Sequence, residues 1–320
     1  MTSWPEYIGG YRRSALLDCF AKGVCETFLA ARPGESTPDT ELTVIAPPPE
    51  DAELFFLRVD EVAGLVDLYG RLQHPAFEKV FDIGRADHLA FIASEHLQGV
   101  PLSALAPRPD SAMIDIGVAA ALVASAAEAI ETAHALQDGD GRSLRIVHGF
   151  ISAKRIVLTA EGRVVVRGLL RERLVGGFHR YTKSSDGIEG AHPLVDIDRL
   201  VSMPPEVWGA PHTEYADVYA LAAVLFELTT GARYLGWEAK NLVDLLQLVR
   251  NNGARRPSSI VPSYPPELET LLFGVLRQGH RRTPVPAGTF ARSLRDFAER
   301  HGATPERVQL FVHRLFAHAP

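Results

Sequence analysis

The chain has 320 residues, 46% of them hydrophobic and 22% charged, enough to bury the core of one large domain or two smaller ones. Its net charge of -6 gives no general reason to expect a nucleic-acid partner. Asp, Glu, Arg or Pro interrupts every hydrophobic stretch before it reaches bilayer length, and the first residues lack the basic and apolar regions of a secretory signal, so no membrane insertion is expected.

In chain order, Leu16–Phe20 and Glu26–Ala30 are short β-prone runs around Ala21-Lys22-Gly23. Cys19 and Cys25 sit in this hairpin; they are too few for a disulfide scaffold, have no metal-ligand spacing, and read as two small buried thiols rather than a redox pair in a reduced cytoplasm. Gly34–Asp39 is a turn cluster and Glu41–Ile45 a third strand. Val59–Leu72 has helical spacing, with Val62, Leu65, Val66, Leu68, Tyr69 and Leu72 on one broad face. Phe77–Ile83 and His88–Ser94 read as a strand pair turning at Gly84–Asp87. Beyond Gly99 helices dominate: Ala112–Leu136, Tyr215–Thr230 ending at Gly231, Asn241–Asn251, Pro266–Gln278 and Ala287–Arg300. Two short strands, Arg155–Thr159 and Arg163–Arg167, lie between them. A last helix starts at Thr304-Pro305-Glu306, and its apolar face (Val308, Phe311, Val312, Leu315, Phe316) is expected to pack on its own domain.

Two segments resemble protein kinases. Ile146-Val147-His148-Gly149-Phe150-Ile151-Ser152-Ala153-Lys154-Arg155-Ile156-Val157-Leu158 is similar to the catalytic loop, V-H-R-D-L-K-P-x-N-I-L-L, at matching spacing. Met203-Pro204-Pro205-Glu206 and Thr213–Leu221 resemble the A-P-E motif and the helix that follows it. Leu72–Pro75 and Phe91–Gly99 echo the L-x-H-P and hinge motifs in the same order. The resemblance covers roughly residues 10–300 and looks most like the bacterial Ser/Thr (Hanks-type) family. It implies an α+β, bilobal protein-kinase-like fold: a small β-rich N-lobe with one main helix over 1–97, a larger α-helical C-lobe over 98–302, and a C-terminal amphipathic helix over 303–320.

Set against the family's motifs, the residues needed for phosphoryl transfer are missing. That chemistry rests on positioning and electrostatics: a glycine loop over the phosphates, a strand lysine, a catalytic aspartate, and an asparagine and aspartate on Mg²⁺. The three loop glycines map to Phe20, Lys22 and Cys25, and the strand lysine to Ile45 or, with a one-residue slip, Ala46. The helix glutamate falls near Leu65, with Glu61 one turn away. The catalytic aspartate maps to Phe150, and the two metal ligands to Arg155 and Gly168. Arginine and glycine offer no oxygen ligand from their side chains, so neither cofactor nor metal is expected. The adenine-roof positions map to Thr27 and Thr43, which makes that site tighter and more polar. The scaffold positions are kept. Asp217 matches the aspartate that holds the catalytic-loop backbone, His148 and Leu169 match two spine residues, and Glu206 with Arg282 matches a buried ion pair. On that mapping Arg282→Ala should destabilise by about 3–5 kcal/mol.

The resemblance therefore implies a pseudokinase: not an enzyme, but a cytoplasmic scaffold or allosteric partner of an active kinase or another signalling protein. Two alternatives carry the same residues. Arg155 could take the metal's place at a nucleotide or small anion, making the chain a sensor. A divergent transferase would need another carboxylate pair, for which Asp196 and Asp198 are the nearest candidates. Arg155, Arg167, Arg171, Arg173, Arg180 and Lys183 form a candidate anion or partner surface in an otherwise acidic chain. Thr182, Ser184 and Ser185 in the same stretch are candidate phosphorylation sites.

Overall fold

Nine strands and seven helices can be traced in the computed structural model, which describes residues 4–21, 24–47, 52–64, 66, 74–107, 114–144, 146–169, 174, 202–205, 213–235, 244, 247, 255–277 and 285–317. Chain contacts divide it into two units. The first comprises Met1–Gln73, Glu78–Leu97 and Leu170–Val195; the second comprises His74–Phe77, Gln98–Leu169 and Asp196–Pro320.

The first unit is a six-stranded antiparallel sheet in the order β1-β2-β3-β4-β6-β5. Its strands are β1 (Tyr7–Ile8), β2 (Tyr11–Ala21), β3 (Cys25–Ala31), β4 (Pro38–Ile45), β5 (Val80–Ala86) and β6 (Leu89–Glu95). Gly9 and Gly10 turn the first hairpin with φ of +58° and +85°, and a Cβ on Gly9 would lie 2.3 Å from the Phe91 ring. Strand alternation gives two apolar faces. Phe28, Leu42, Val44 and Phe91 lie on one. Cys25, Ile45, Ala90 and Ile92 lie on the other, packed against Phe55, Val59 and Val62 of α1 (Ala52–Ala63) and against Leu174.

Three features of this unit differ from the sequence reading. The helix begins at Ala52, seven residues before the expected start, because Phe55, Val59 and Val62 already supply an i, i+4, i+7 stripe for the sheet to bury; Leu65 and residues 67–73 lie outside the described residues. Strand β5 runs on through Ala86, and the turn falls at Asp87, whose φ is +55°. Cys19 is exposed while Cys25 is buried. Register pairs Cys19 with Glu26 and Ala21 with Cys25, so the adjacent residues 25 and 26 send the two thiols to opposite faces.

The second unit pairs β7 (Gly99–Pro101), β8 (Ile156–Thr159) and β9 (Val164–Val166) in one small sheet. Gly99 permits the close approach: a Cβ there would lie 2.6 Å from the Leu158 carbonyl oxygen. The segment at 74–77 is tied to this sheet, with Val166 N–H donating to Ala76 O at 2.7 Å and the Arg163 guanidinium donating to Pro75 O at 3.0 Å. The helices are α2 (Ile116–His134), α3 (Glu214–Thr230), α4 (Pro257–Ile260), α5 (Pro266–Leu276), α6 (Ala287–Arg300) and α7 (Pro305–Ala317).

Helix α2 starts at Asp115, whose side chain accepts from Gly117 and Val118 N–H, and it packs on α3 and α6. It is long and apolar enough to cross a membrane by composition alone, and most of it is buried among its neighbours. Glu131 of α2 accepts from Gly288 N–H at 2.7 Å, capping α6 where Pro286 offers no side-chain acceptor. Helix α3 ends at Gly231, with φ +71°. On α7 only Val312 is fully buried, while Val308, Phe311, Leu315 and Phe316 are half-buried, and Arg307 bridges to Asp115 at 2.7 Å. The Asn241–Asn251 helix falls almost wholly outside the described residues.

Candidate functional site

The site grows from the loop between α2 and β8 and from the first turn of α3. Asp217 is almost wholly buried. One carboxylate oxygen accepts from His148 N–H at 2.8 Å and from His134 Nε2 at 2.9 Å; the other accepts from Gly149 N–H at 2.8 Å. A buried carboxylate is tolerable only with this degree of satisfaction. His148 in turn accepts from Phe150 N–H at Nδ1 (3.2 Å), which leaves Nε2 to donate to Arg167 O (2.9 Å). Both ring nitrogens are thus engaged by backbone, and the imidazole works as a fastener.

On this frame three side-chain positions meet. The Arg155 guanidinium lies over the Phe150 ring, 5.1 Å from its centroid. A Cβ on Gly168, whose φ is +88°, would lie 3.4 Å from Arg155 Nη1. Arg167 N–H donates to Arg155 O at 2.9 Å, closing the base of β8 and β9 over the same spot. Phe150 is buried and Arg155 half-buried. The cluster sets a guanidinium on an aromatic face.

No family model matches the chain. Among curated proteins it is 26% identical over 245 residues to the tyrosine-protein kinase MasK of Myxococcus xanthus, covering 74% of this chain and 36% of that protein. It is also 26% identical over 285 residues to the serine/threonine-protein kinase PkaA of Streptomyces coelicolor, covering 89% and 47%. The chain thus spans less than half the length of these relatives. Among solved structures it superposes on the PknI kinase domain of Mycobacterium tuberculosis with a TM-score of 0.62 and 20% identity, covering 92% of this chain and 99% of that one. A double-mutant form of the same domain gives a TM-score of 0.64 at 21% identity. The fold is that of a bacterial Hanks-type protein kinase. It is α+β, with the sheet-rich and helix-rich parts the sequence leads one to expect.

The cluster brings together the three positions that the sequence assigns, by resemblance, to the catalytic aspartate and the two metal ligands. The donor set does not suit Mg²⁺, which takes oxygen ligands at close range: Gly168 has no side chain, and the neighbouring group is a guanidinium. Among the described residues no group of three or more His, Cys, Asp or Glu side chains is placed to hold a metal ion.

The first unit carries the other mapped positions. Ile45 is fully sealed between α1 and Leu174, and Cys25 pairs with it directly across β3 and β4. Thr27 and Thr43 are also directly opposite, and their hydroxyls bond to each other at 2.9 Å. Further along the same face Glu41, buried, meets His96 Nδ1 at 3.1 Å. Phe20 belongs to β2 by its backbone. Leu169 is buried, and Met203 packs on Ala216 of α3.

Lys22, Arg171, Arg173, Arg180, Lys183, Thr182, Ser184, Ser185, Asp196, Asp198, Glu206 and Arg282 lie outside the described residues. The sequence reading missed His134, a solitary histidine at the end of an Ala-rich helix. Its partnership with Asp217 spans 83 residues of chain and leaves no local mark. It also missed the Thr27–Thr43 bond, which needs the strand register to be known.

Proposed function

We propose that this chain is a pseudokinase: a kinase-like scaffold or allosteric partner in bacterial signalling that does not transfer phosphate. The observation that carries the reading is the meeting of Phe150, Arg155 and Gly168. Where phosphoryl transfer calls for a carboxylate and two metal ligands, this molecule has an aromatic ring, a guanidinium and a bare Cα. Two features of the first unit support it. Ile45 cannot pair with phosphate from inside an apolar cluster, and the Thr27 and Thr43 hydroxyls already satisfy each other. A cytoplasmic setting, with an active kinase or another signalling protein as partner, belongs to the same proposal.

A second reading has one observation in its favour. Residue 155 is half-buried and carries a guanidinium, a group suited to phosphate and other anions, so a metal-independent anion or nucleotide sensor would use the same residue. A thermal-shift titration with ATP and ADP, each with and without Mg²⁺, separates the two, run beside a phosphate-transfer assay. Ligand at a hundred times its dissociation constant stabilises by about 2.7 kcal/mol, a shift of several degrees. The pseudokinase scaffold predicts no shift and no transfer. A Mg²⁺-independent shift favours the sensor. A Mg²⁺-dependent shift with transfer defeats both.

A further inference from the structure

The chain enters α4 through Arg255-Arg256-Pro257-Ser258, in which two arginines stand three and two residues before a serine. Both arginines and Ser258 are exposed, while Pro257 between them is buried. Ser259, next along, is already engaged, its hydroxyl donating to Arg256 O at 2.7 Å. Ser258 faces α5 instead. Its N–H donates to Glu269 Oε2 at 2.8 Å, and hydrogen bonds from its side chain and its N–H both hold the Glu269 pKa down. The same face of α5 gathers positive charge. Arg256 donates to Glu269 Oε1 at 3.4 Å and lies over Phe273, its guanidinium carbon 5.7 Å from the ring centroid. The Arg277 guanidinium carbon is 5.1 Å from the same ring. Glu269, Phe273 and Arg277 follow one another at four-residue spacing, so they line up beside Ser258.

We propose that Ser258 is a phosphorylation site for a separate kinase with an acidic substrate groove, and that the phosphate, once formed, takes Arg256 from Glu269. Recognition follows from charge, because carboxylates in such a groove pair with guanidinium groups held at a fixed distance before the acceptor hydroxyl. In the transfer, Ser258 Oγ bonds to the γ-phosphorus of ATP as the bond from that phosphorus to the β–γ bridging oxygen breaks. ADP leaves, and the hydroxyl proton passes to the catalytic base of the kinase. The segment can reach an active site because α4 is a single turn, closed by Val261 N–H donating to Pro257 O at 2.8 Å and by the Glu269 contact; such short elements open locally. The product carries close to two negative charges beside the Glu269 carboxylate. Those charges repel, whereas the Arg256 fork gains a phosphate that it can hold through two parallel hydrogen bonds. The contact between α4 and α5 is thereby loosened. This goes beyond the pseudokinase reading and does not rest on it, since a chain that receives phosphate need not transfer any.

The test incubates the folded full chain with ATP, Mg²⁺ and the catalytic subunit of cyclic-AMP-dependent protein kinase, a probe that selects arginine at these two positions, and maps phosphate by mass spectrometry. Phosphate on Ser258 is expected. It should be lost in Ser258→Ala and slowed about tenfold or more in Arg255→Gln/Arg256→Gln. The substituted side chains are exposed, so these variants should melt close to the parent. The phosphorylated chain should melt about 2–4 °C below the unmodified one, and Glu269→Gln should remove most of that difference. Labelling of Ser258 only after urea denaturation, or none at all, would overturn the site. Equal labelling of the double arginine variant would overturn recognition by charge, and a melting temperature that does not fall would overturn the exchange at Glu269. Phosphate appearing on Ser258 with ATP alone would overturn the separate kinase, and with it the pseudokinase reading.

Discussion

Arg155 lies over the ring of Phe150, its guanidinium carbon 5.1 Å from the ring centroid. A guanidinium beside the loop needs a partner that tolerates charge, and the aromatic face is one. Gly168 beside it takes φ +88°, a conformation in which a side chain is strained, and a Cβ there would stand in ordinary contact with Nη1 at 3.4 Å. A double-mutant cycle with Phe150→Leu and Arg155→Met should show a coupling of about 0.5–1 kcal/mol. Strictly additive losses in urea denaturation would mean the stacking carries no energy.

Asp217 is the residue on which the loop depends most. Its carboxylate takes hydrogen bonds from His148 N–H, Gly149 N–H and His134 Nε2 in a site closed to water. Asp217→Asn keeps the shape but turns one acceptor into a donor aimed at groups that are themselves donors. The expected loss is about 3 kcal/mol, near the upper range for stranding buried polar groups. The urea midpoint should drop with an unchanged slope. A variant within experimental error of the parent would show that the loop is held by packing alone.

Much of this frame was legible from sequence, and the reasons for the failures are physical. Gly231 and the limits of α6 are written in local chemistry, as a left-handed cap and an amphipathic stripe, and local signals survive without tertiary knowledge. The expectations for the site rest on spacing within one continuous stretch, from His148 to Gly168. The start of helix α1 was placed seven residues late because Phe55, which opens the stripe continued by Val59 and Val62, was not counted into the apolar face. The exposure of Cys19, the Thr27–Thr43 bond and the burial of Leu174 are matters of register or of distant packing. Nothing in the neighbouring residues encodes them.

The burial of Ile45 sets a further expectation. A lysine at this position would place an ammonium group among Phe55, Val59, Val62 and Leu174. With no carboxylate among these cluster members, the cost is on the order of 4 kcal/mol or more, and the lysine would favour its neutral form. Ile45→Lys should therefore lower the melting temperature sharply without any gain in phosphate transfer. A variant that melts with the parent, or that transfers phosphate, would show that this face of the sheet opens more readily than its packing implies.

The threonine pair offers a cleaner contrast. Thr27→Val alone leaves the Thr43 hydroxyl buried without its 2.9 Å partner, and Thr43→Val does the converse. Each single change should cost about 1–3 kcal/mol, whereas replacing both with valine should be nearly neutral, because no polar group is then stranded. The double variant should recover most of the stability lost by either single one. Additive losses would indicate that each hydroxyl has an acceptor of its own.

Acid should weaken the contact between α4 and α5 through Glu269. Its carboxylate accepts from Ser258 N–H at 2.8 Å and from the Arg256 guanidinium at 3.4 Å. Hydrogen bonding from Ser258, aided by the Arg256 charge, holds its pKa below the ordinary carboxylate value. A carboxyl whose pKa is depressed by folding stabilises the fold above its unfolded-state pKa, and that stability is lost as pH falls through the folded value. Glu269→Gln should therefore be less stable than the parent at neutral pH, with the difference closing below about pH 4 as the parent's carboxyl takes up its proton. Urea midpoints for the two proteins, measured across that range, give the test. A gap that stays constant with pH would assign the loss to altered packing and remove the carboxylate's charge from the account.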